Sequence, residues 1–312
     1  MKSARRSEFK RPEEIIGWRF PDLSNLRGLV AKVTADFVRQ PAEVFVNALV
    51  ELDDLRMIAP NVAVEGTKLF FWSLGYVTEQ QHDADKRIEK TNEWLREFVG
   101  SEDSKHKIAT VIDNLLAGFV QQPALAASLV TVNFVSVPAM WTALECLARD
   151  LWIAFINNSS TSIAHKAFRA LERDDVQRKF IAISDLVKYG FDIRNKVGNI
   201  LASKFSFTDF EGIRNAFRVI EPEDDLASDT TARALFLLEK TRHLLVHKAG
   251  YVDEKFKRET GDSSSLGTRI TLTTDRMQEW ANAVVEVGTT MIRTVDSFYR
   301  SHSTESNSNE VK

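Results

Sequence analysis

The chain has 312 residues, 44% of them apolar and 27% charged, with a formal net charge of -3. This composition is typical of a globular protein with a substantial core. It excludes a protein that coats nucleic acid through bulk electrostatics, so any contact with RNA or DNA has to be local. A single cysteine, Cys146, excludes an intramolecular disulfide framework and a cysteine-rich zinc site. We expect a cytoplasmic protein, because the charged N-terminus lacks the apolar core of a signal peptide.

Long helical patterns with little glycine or proline predict an all-α fold. In the first half, residues 25–55 predict helices broken at Pro41. Residues 78–99 predict a charged helix with one apolar stripe, and residues 106–119 predict another helix. We assign residues 1–135 to an N-terminal helical domain. Its role stays open: it could regulate the second half, sense a signal or extend a dimer.

An uncharged run between Asp113 and Glu145 raises the question of a membrane-spanning helix. Such a helix needs about 20 predominantly apolar residues. Here polar side chains and two prolines, Pro123 and Pro138, interrupt the run. We therefore predict buried helices and no membrane partner.

The second half, residues 136–300, is predicted to be a helical domain followed by a polar, disordered tail at residues 301–312. Amphipathic patterns predict its helical segments: 138–158, 176–193, 195–220 with a bend at 205–207, 229–249 and 274–299. Residues 268–273 predict a short extended piece. The helix at 229–249 is expected to have Asp229 or Thr230 as its N-cap and to stop at Gly250.

The segment TRHLLVHKAG, Thr241 to Gly250, places Arg242, His243 and His247 in an otherwise apolar helix. Residues four apart share a helix face, so the two histidines could chelate one metal ion. Zinc peptidases supply a glutamate between such histidines, and here only leucines and a valine intervene. We therefore expect no metal and no cofactor.

Arg242 and His247 favour phosphate chemistry instead. They lie about 140° apart around a helix, so they do not converge on one substrate atom within a single copy. Two copies facing each other across a two-fold axis would bring each arginine to the other's histidine. The last helical turn favours the protonated form of His247, and a guanidinium suits phosphate oxygens. This combination fits phosphodiester cleavage.

A simpler interpretation of the same two residues stays open. Arg242 could pair with Glu239, and His247 could cap the last carbonyls of the helix, because such contacts are common on helices. The spacing alone does not separate this interpretation from a catalytic one.

The segment RHLLVHKAGYVDEKFKR resembles the signature of the HEPN superfamily, in which an arginine, a polar residue and three further residues precede a histidine. Its HKAGYVDEKF part is especially similar to RNase-L-type and prokaryotic-defence members. AMWTALECLARDLW resembles the family's first helix, with Glu145 as its embedded glutamate. LVKYGFDIRNKVGNILASKFSFTDFEGIRNAF resembles its middle region. The resemblance runs from Val137 to Tyr299, about half of the chain.

The resemblance implies an antiparallel helical bundle that dimerises through the motif helix, and a metal-independent endoribonuclease. In active members the RNA 2′-hydroxyl attacks the adjacent phosphate and leaves a 2′,3′-cyclic phosphate. His247 would then be the general acid/base, and Arg242 would stabilise the phosphorane. Histidine departs from the asparagine or aspartate usual at the polar position, which leaves the role of His243 open. Glu145 would orient Arg242 or His247, or merely pair with Arg242.

The resemblance also implies partners: RNA, a second copy of the chain, and an antitoxin or sensor protein. Lys248, Lys255 and Lys257 are candidates to guide RNA, although each could be ordinary solvated surface. The implied role is a toxin or effector in prokaryotic, anti-phage defence. The alternative is a non-catalytic HEPN module that binds a protein partner or a nucleotide.

Overall fold

The structure, a computed structural model, describes residues 18–56, 123–171, 183–220 and 226–309. These ranges are mainly α-helical and contain no β-strand, which confirms the all-α prediction for this part of the chain. The extended piece predicted at residues 268–273 amounts to one isolated bridge between Tyr251 and Arg269. The helices predicted at residues 78–99 and 106–119 lie outside the described residues.

The described helices are numbered here in chain order. They are α1 Leu23–Ala31, α2 residues 36–56, α3 Pro123–Asn158, α4 Thr161–Leu171, α5 Ile183–Lys188, α6 Val197–Ala202, α7 Phe210–Phe217, α8 Asp229–Lys248, α9 Glu254–Thr260 and α10 Thr274–Asn309. Side-chain oxygens of Asp22, Asp209, Ser228 and Asp253 accept hydrogen bonds from the first turns of α1, α7, α8 and α9. Such caps satisfy backbone N–H groups that a helix start leaves open, and so fix where each helix begins.

Pro41 and Pro138 both lie inside helices. The sequence predicted a break at Pro41 and a helix beginning at Pro138. The break between α1 and α2 falls at residues 32–35, so the prediction of a break at Pro41 is wrong. Helix α3 continues through Pro138. A proline removes one backbone hydrogen bond and bends a helix without ending it where flanking side chains are packed. Buried residues flank both positions.

Helix α10 also exceeds its predicted length. It continues to Asn309, past the expected end at residue 299 and into the tail at residues 301–312 that was predicted to be disordered. A helix anchored by packed residues extends at little cost, because each added residue contributes one hydrogen bond without a new nucleation step. The bend predicted at residues 205–207 is confirmed, since it separates α6 from α7.

The described residues belong to two compact units. Residues 53–56 and 123–133 fall in one unit, and residues 18–52 together with the described residues from Phe134 onwards fall in the other. The predicted division at residue 135 assigned residues 18–52 to the N-terminal domain, and the structure differs there. Their side chains explain the difference, because Trp18, Phe45 and Leu49 are fully buried in the core of the second unit.

Helix α10 lies at the centre of the second unit. The Tyr299 ring meets Phe37 of α2 edge-on at 5.1 Å between centroids, and Phe298 meets Phe155 of α3 in the same way at 5.1 Å. Helix α8 also packs against α10. Helix α3 is tied to α7 by the Trp152 indole N–H, which donates to the Ala216 carbonyl at 2.9 Å. The core therefore joins α2, α3, α7, α8 and α10.

Within the described residues, Val130–Asn158 is the one helix long and apolar enough to cross a membrane by length and composition alone. Trp141, Leu144, Leu151 and Trp152 of this helix are fully buried in the second unit. Burial in a protein core accounts for the apolar character of this part of the helix, as predicted.

Asp262, in the loop after α9, should make the free energy of unfolding depend on pH. Its buried carboxylate lies 2.9 Å from Arg276 Nη2 and accepts from the Ser264 N–H at 2.8 Å. Burial opposes ionisation, but the hydrogen bonds from Ser264 and the charge of Arg276 outweigh it and lower the pKa of Asp262 below 3.8. Because the folded-state pKa is depressed, the stabilisation is present above the unfolded value and is lost as the pH falls through the folded one.

We therefore expect Asp262→Asn to lower the free energy of unfolding by about 1–2 kcal/mol at neutral pH. The difference from wild type should shrink below about pH 3.8, where the carboxylate begins to protonate in the unfolded chain. Urea unfolding at neutral pH and at about pH 3 measures it. Glu279→Gln, on an exposed part of α10, is the control that should change little, and an equal difference at both pH values would contradict the expectation.

Candidate functional site

Helix α8 carries three of the candidate residues, and its two ends are set by caps. It begins after Ser228, whose hydroxyl accepts from the Thr231 N–H, so the N-cap lies one residue before Asp229 and two before Thr230, the two predicted N-caps. It ends as predicted before Gly250. Ala249 and Gly250 both have positive φ, 50° and 81°, and both backbone N–H groups donate to the Leu244 carbonyl.

The turn after α8 is held by close packing. A Cβ atom at Gly250 would lie 3.3 Å from the Phe134 ring of α3, so glycine suits both the backbone angle and the space. The Gly250 carbonyl accepts from the Ile270 N–H at 2.8 Å, and the Arg269 guanidinium stacks on Phe134 at 4.3 Å from the ring centroid. His247, three residues before Gly250, is thus carried by a well-anchored helix end.

The Arg242 guanidinium faces α3. Its Nη2 lies 3.7 Å from Oε2 of Glu145, with the two side chains 30% and 20% exposed. Glu239 does not pair with Arg242 as the simpler interpretation supposed. It accepts from the Phe210 N–H at 3.2 Å and from Lys240 at 2.9 Å. The contact between Glu145 and Arg242 is therefore present, and it fits both an orienting role and a purely structural one.

His243 and His247 form a close pair of tilted rings on the exposed side of α8. Their ring centroids lie 4.5 Å apart with an interplanar angle of 50°. The pKa of His243 is lowered by its partial burial and then by nearby positive charges, those of His247, Lys255, Lys240 and Arg242. No group of three or more histidine, cysteine or acidic residues in the described ranges could hold a metal ion, so this pair has no third ligand there.

The predicted RNA-guiding lysines are spread over the end of α8 and over α9. Lys248 and Lys255 are exposed, whereas Lys257 is half-buried. The Lys255 ammonium lies 4.0 Å from Glu259, so part of its charge is compensated.

Lys240 and Val246 also belong to this surface, and the sequence did not indicate them. Lys240 acts on His243 from one turn earlier, a spacing of three residues that could have identified it. Burial opposes its charge, but a hydrogen bond to Glu239 and neighbouring acidic groups outweigh burial and raise the pKa of Lys240. Val246 lies between the histidines in sequence and is 59% exposed, which apolar periodicity alone did not predict.

This surface combines a permanent cation, two adjacent imidazoles and several lysines. Comparison with family models, with curated proteins and with solved structures gives no match. A function for this surface is therefore inferred from the chemistry of these side chains. Guanidinium and ammonium groups bind phosphate oxygens, and imidazoles transfer protons near neutral pH.

Proposed function

We propose that this protein is a metal-independent endoribonuclease of the HEPN type, with a HEPN-like helical bundle, that acts as a homodimer. The observation that carries the proposal is how α8 presents the motif. Arg242 is turned toward Glu145 of α3, whereas His243 and His247 stand together in solvent. A permanent cation and proton-transfer groups on one helix are the functional groups that phosphodiester cleavage needs.

The exposed apolar side chains beside the histidines support the dimer. Val246 is 59% exposed and Tyr251 is 53% exposed, so a single copy leaves both in water. Burying them against the same surface of a second copy is favourable, and such an isologous contact is self-complementary. In this dimer Arg242 of one copy reaches His247 of the other.

The proposed reaction uses the RNA itself as nucleophile. The 2′-hydroxyl attacks the adjacent phosphorus, and proton transfer by His247 allows the bond to the 5′-oxygen to break. Arg242 stabilises the negative charge that builds up on the phosphorane oxygens, and Glu145 holds its guanidinium in place. Lys248, Lys255 and Lys257 contact the RNA backbone, which positions the strand without reading its sequence.

Unrestrained cleavage of cellular RNA arrests growth, which suits a toxin or effector in cytoplasmic anti-phage defence. Such an activity requires restraint, so an antitoxin or a sensor protein is the further partner we propose. We propose that the N-terminal half serves that regulation, apart from residues 18–52, which belong to the second unit.

The test compares wild type with Arg242→Ala and His247→Ala, both as RNA cleavage by purified protein and as growth arrest on induction in a bacterial host. We expect each substitution to reduce cleavage by about 100-fold or more, because each removes a group that acts in the transition state. The RNA fragments should carry 2′,3′-cyclic phosphate and 5′-hydroxyl ends. Excess chelator should leave the rate unchanged.

Two exposed residues of α4, Arg169 and His165, provide matched controls. Arg169→Ala and His165→Ala should cleave like wild type. Equal activity in all the variants, or cleavage that a chelator abolishes, would reject the proposal. Binding of a protein or nucleotide by a chain that cuts no RNA would instead support the non-catalytic alternative.

A further inference from the structure

His243 and His247 form a single surface feature that the motif's arginine does not share. Their centroids are 4.5 Å apart, both residues are exposed, and one helical turn separates them. Arg242 lies against Glu145 on the side of α8 that faces α3. A ligand that reaches one imidazole therefore meets the other imidazole of the same copy.

Two imidazoles this close repel each other when both carry a proton, because like charges repel. A pair with one protonated and one neutral ring is therefore favoured over a pair with two protonated rings. That state combines a proton donor with a proton acceptor. A reaction that needs both an acid and a base can use it directly.

The surroundings decide which ring is neutral in that state. The groups that act on His243 are burial first, and then the positive charges of three residues of α8 and one of α9: His247, Lys240, Arg242 and Lys255. The acidic groups nearby contact the cations: Glu259 of α9 lies 3.8 Å from Lys240 and 4.0 Å from Lys255, and Glu145 of α3 pairs with Arg242. The environment therefore favours a neutral His243. His247 lies in the last turn of α8, where the helix dipole favours a positively charged side chain.

We propose that His243 is the general base of the cleavage and His247 the general acid, both supplied by the same copy of the chain. This inference rests on the proposed ribonuclease function, and it gives a role to the position that the HEPN resemblance leaves open. Arg242 of the second copy then only stabilises the negative charge on the phosphorane oxygens.

The neutral ring nitrogen of His243 accepts the proton of the RNA 2′-hydroxyl while the 2′-oxygen forms a bond to phosphorus. The bond from phosphorus to the 5′-oxygen breaks, and that oxygen takes the proton of the His247 imidazolium. The products carry a 2′,3′-cyclic phosphate and a 5′-hydroxyl. Exchange with solvent returns the proton from His243 to His247.

A change of leaving group tests the two assignments separately. One substrate is a dinucleotide, whose departing 5′-oxygen needs a proton. The other is a ribonucleoside 3′-(4-nitrophenyl phosphate), whose nitrophenolate departs without one. His243→Ala in the full chain should lower kcat/KM by about 100-fold or more on both substrates, whereas His247→Ala should do so on the dinucleotide and by less than about tenfold on the nitrophenyl ester.

The pH dependence provides a second readout. Wild type should show a bell-shaped profile of kcat/KM, in which the acidic limb reports the base and the alkaline limb the acid. His243→Ala should lose the acidic limb, and added imidazole should restore part of its activity. His165→Ala, an exposed histidine of α4, should retain the full profile. Because His243 and His247 are both exposed, the circular dichroism of each variant should match wild type.

The outcomes separate this inference from the proposed function. Cleavage by His243→Ala at the wild-type rate, with Arg242→Ala and His247→Ala inactive, would overturn the inference and leave the ribonuclease intact. Recovery of activity on mixing His243→Ala with His247→Ala would place the two groups in different copies and overturn it as well. A wild-type chain that cleaves neither substrate nor RNA would remove the proposed function and the inference with it.

Discussion

Equal amounts of Arg242→Ala and His247→Ala chains, each inactive alone, should together regain about a quarter of the wild-type cleavage rate. Random pairing makes about half of the dimers mixed, and each mixed dimer has one site in which both groups are intact. The physical reason is that the two groups lie on different sides of α8. Arg242 faces Glu145 on α3, while His247 lies beside His243 in solvent. In the proposed dimer they meet only between copies.

The measurement needs chains that exchange between dimers before the assay. The two variants are mixed, taken through mild denaturant and returned to buffer, and initial rates of RNA cleavage are compared with each variant treated alone. Light scattering on the same samples reports the mass, which should be that of a dimer at micromolar concentration.

The double variant Arg242→Ala/His247→Ala, mixed with wild type, is the complementary control. If each site combines groups from two copies, both sites of every mixed dimer are defective, and the rate falls to about a quarter of that of wild type alone at the same total concentration. If each site is contained in one copy, about half of the rate remains. No recovery in the first mixture, half activity in the second and a monomeric mass would together reject the composite site.

Much of α8 could be predicted because its signals are local. Gly250 ends the helix as expected, since a left-handed backbone angle favours glycine wherever it occurs. The start was wrong by one residue because Ser228, Asp229 and Thr230 are all good N-caps, and only the hydrogen bond to Thr231 decides among them.

The sequence predicted where the paired histidines lie but not the charges around them. Their spacing of four residues places His243 and His247 on one face, and the sequence indicated this. One of the cations around His243, Lys255, comes from α9, a different helix. A charge environment built by two separate elements has no signature in the spacing of either one.

The compact units of the structure differ from the predicted division at residue 135 for the same reason. The sequence pattern changes near Pro138, but the side chains of α2 pack against helices more than a hundred residues away. Phe45 is the clearest case, because its ring lies beside Gly288 of α10 and close to Leu147 of α3. Periodicity shows that Phe45 is on an apolar face, and it does not show which core that face joins.

Gly288→Ala should therefore lower the free energy of unfolding by about 2–3 kcal/mol, as overpacking of a rigid core does. A Cβ atom at Gly288 would lie 2.5 Å from two ring carbons of Phe45 and 3.3 Å from Leu147 Cδ2. The Phe45 ring is buried and cannot swing into solvent. Chemical denaturation followed by circular dichroism measures the loss.

Gly28→Ala is the matched control, since Gly28 lies in α1 and a Cβ atom there would meet nothing within 4 Å. It should leave stability unchanged or raise it by about 0.5–1 kcal/mol through helix propensity alone. A loss like that of Gly288→Ala would mean that replacing any helical glycine is harmful. The close contact with Phe45 would then not be the cause.

A double-mutant cycle with Phe45→Leu identifies the clashing partner. Leucine lacks the two outer ring carbons that the new methyl group would meet, so Gly288→Ala should cost less in the Phe45→Leu background. The double variant should lose less free energy of unfolding than the sum of the two single losses, by about 1 kcal/mol or more. Strict additivity would mean that the Phe45 ring is not the group that the new methyl group meets. Residues 18–52 would still be joined to α10 by their other contacts, such as the edge-on pair of Phe37 and Tyr299.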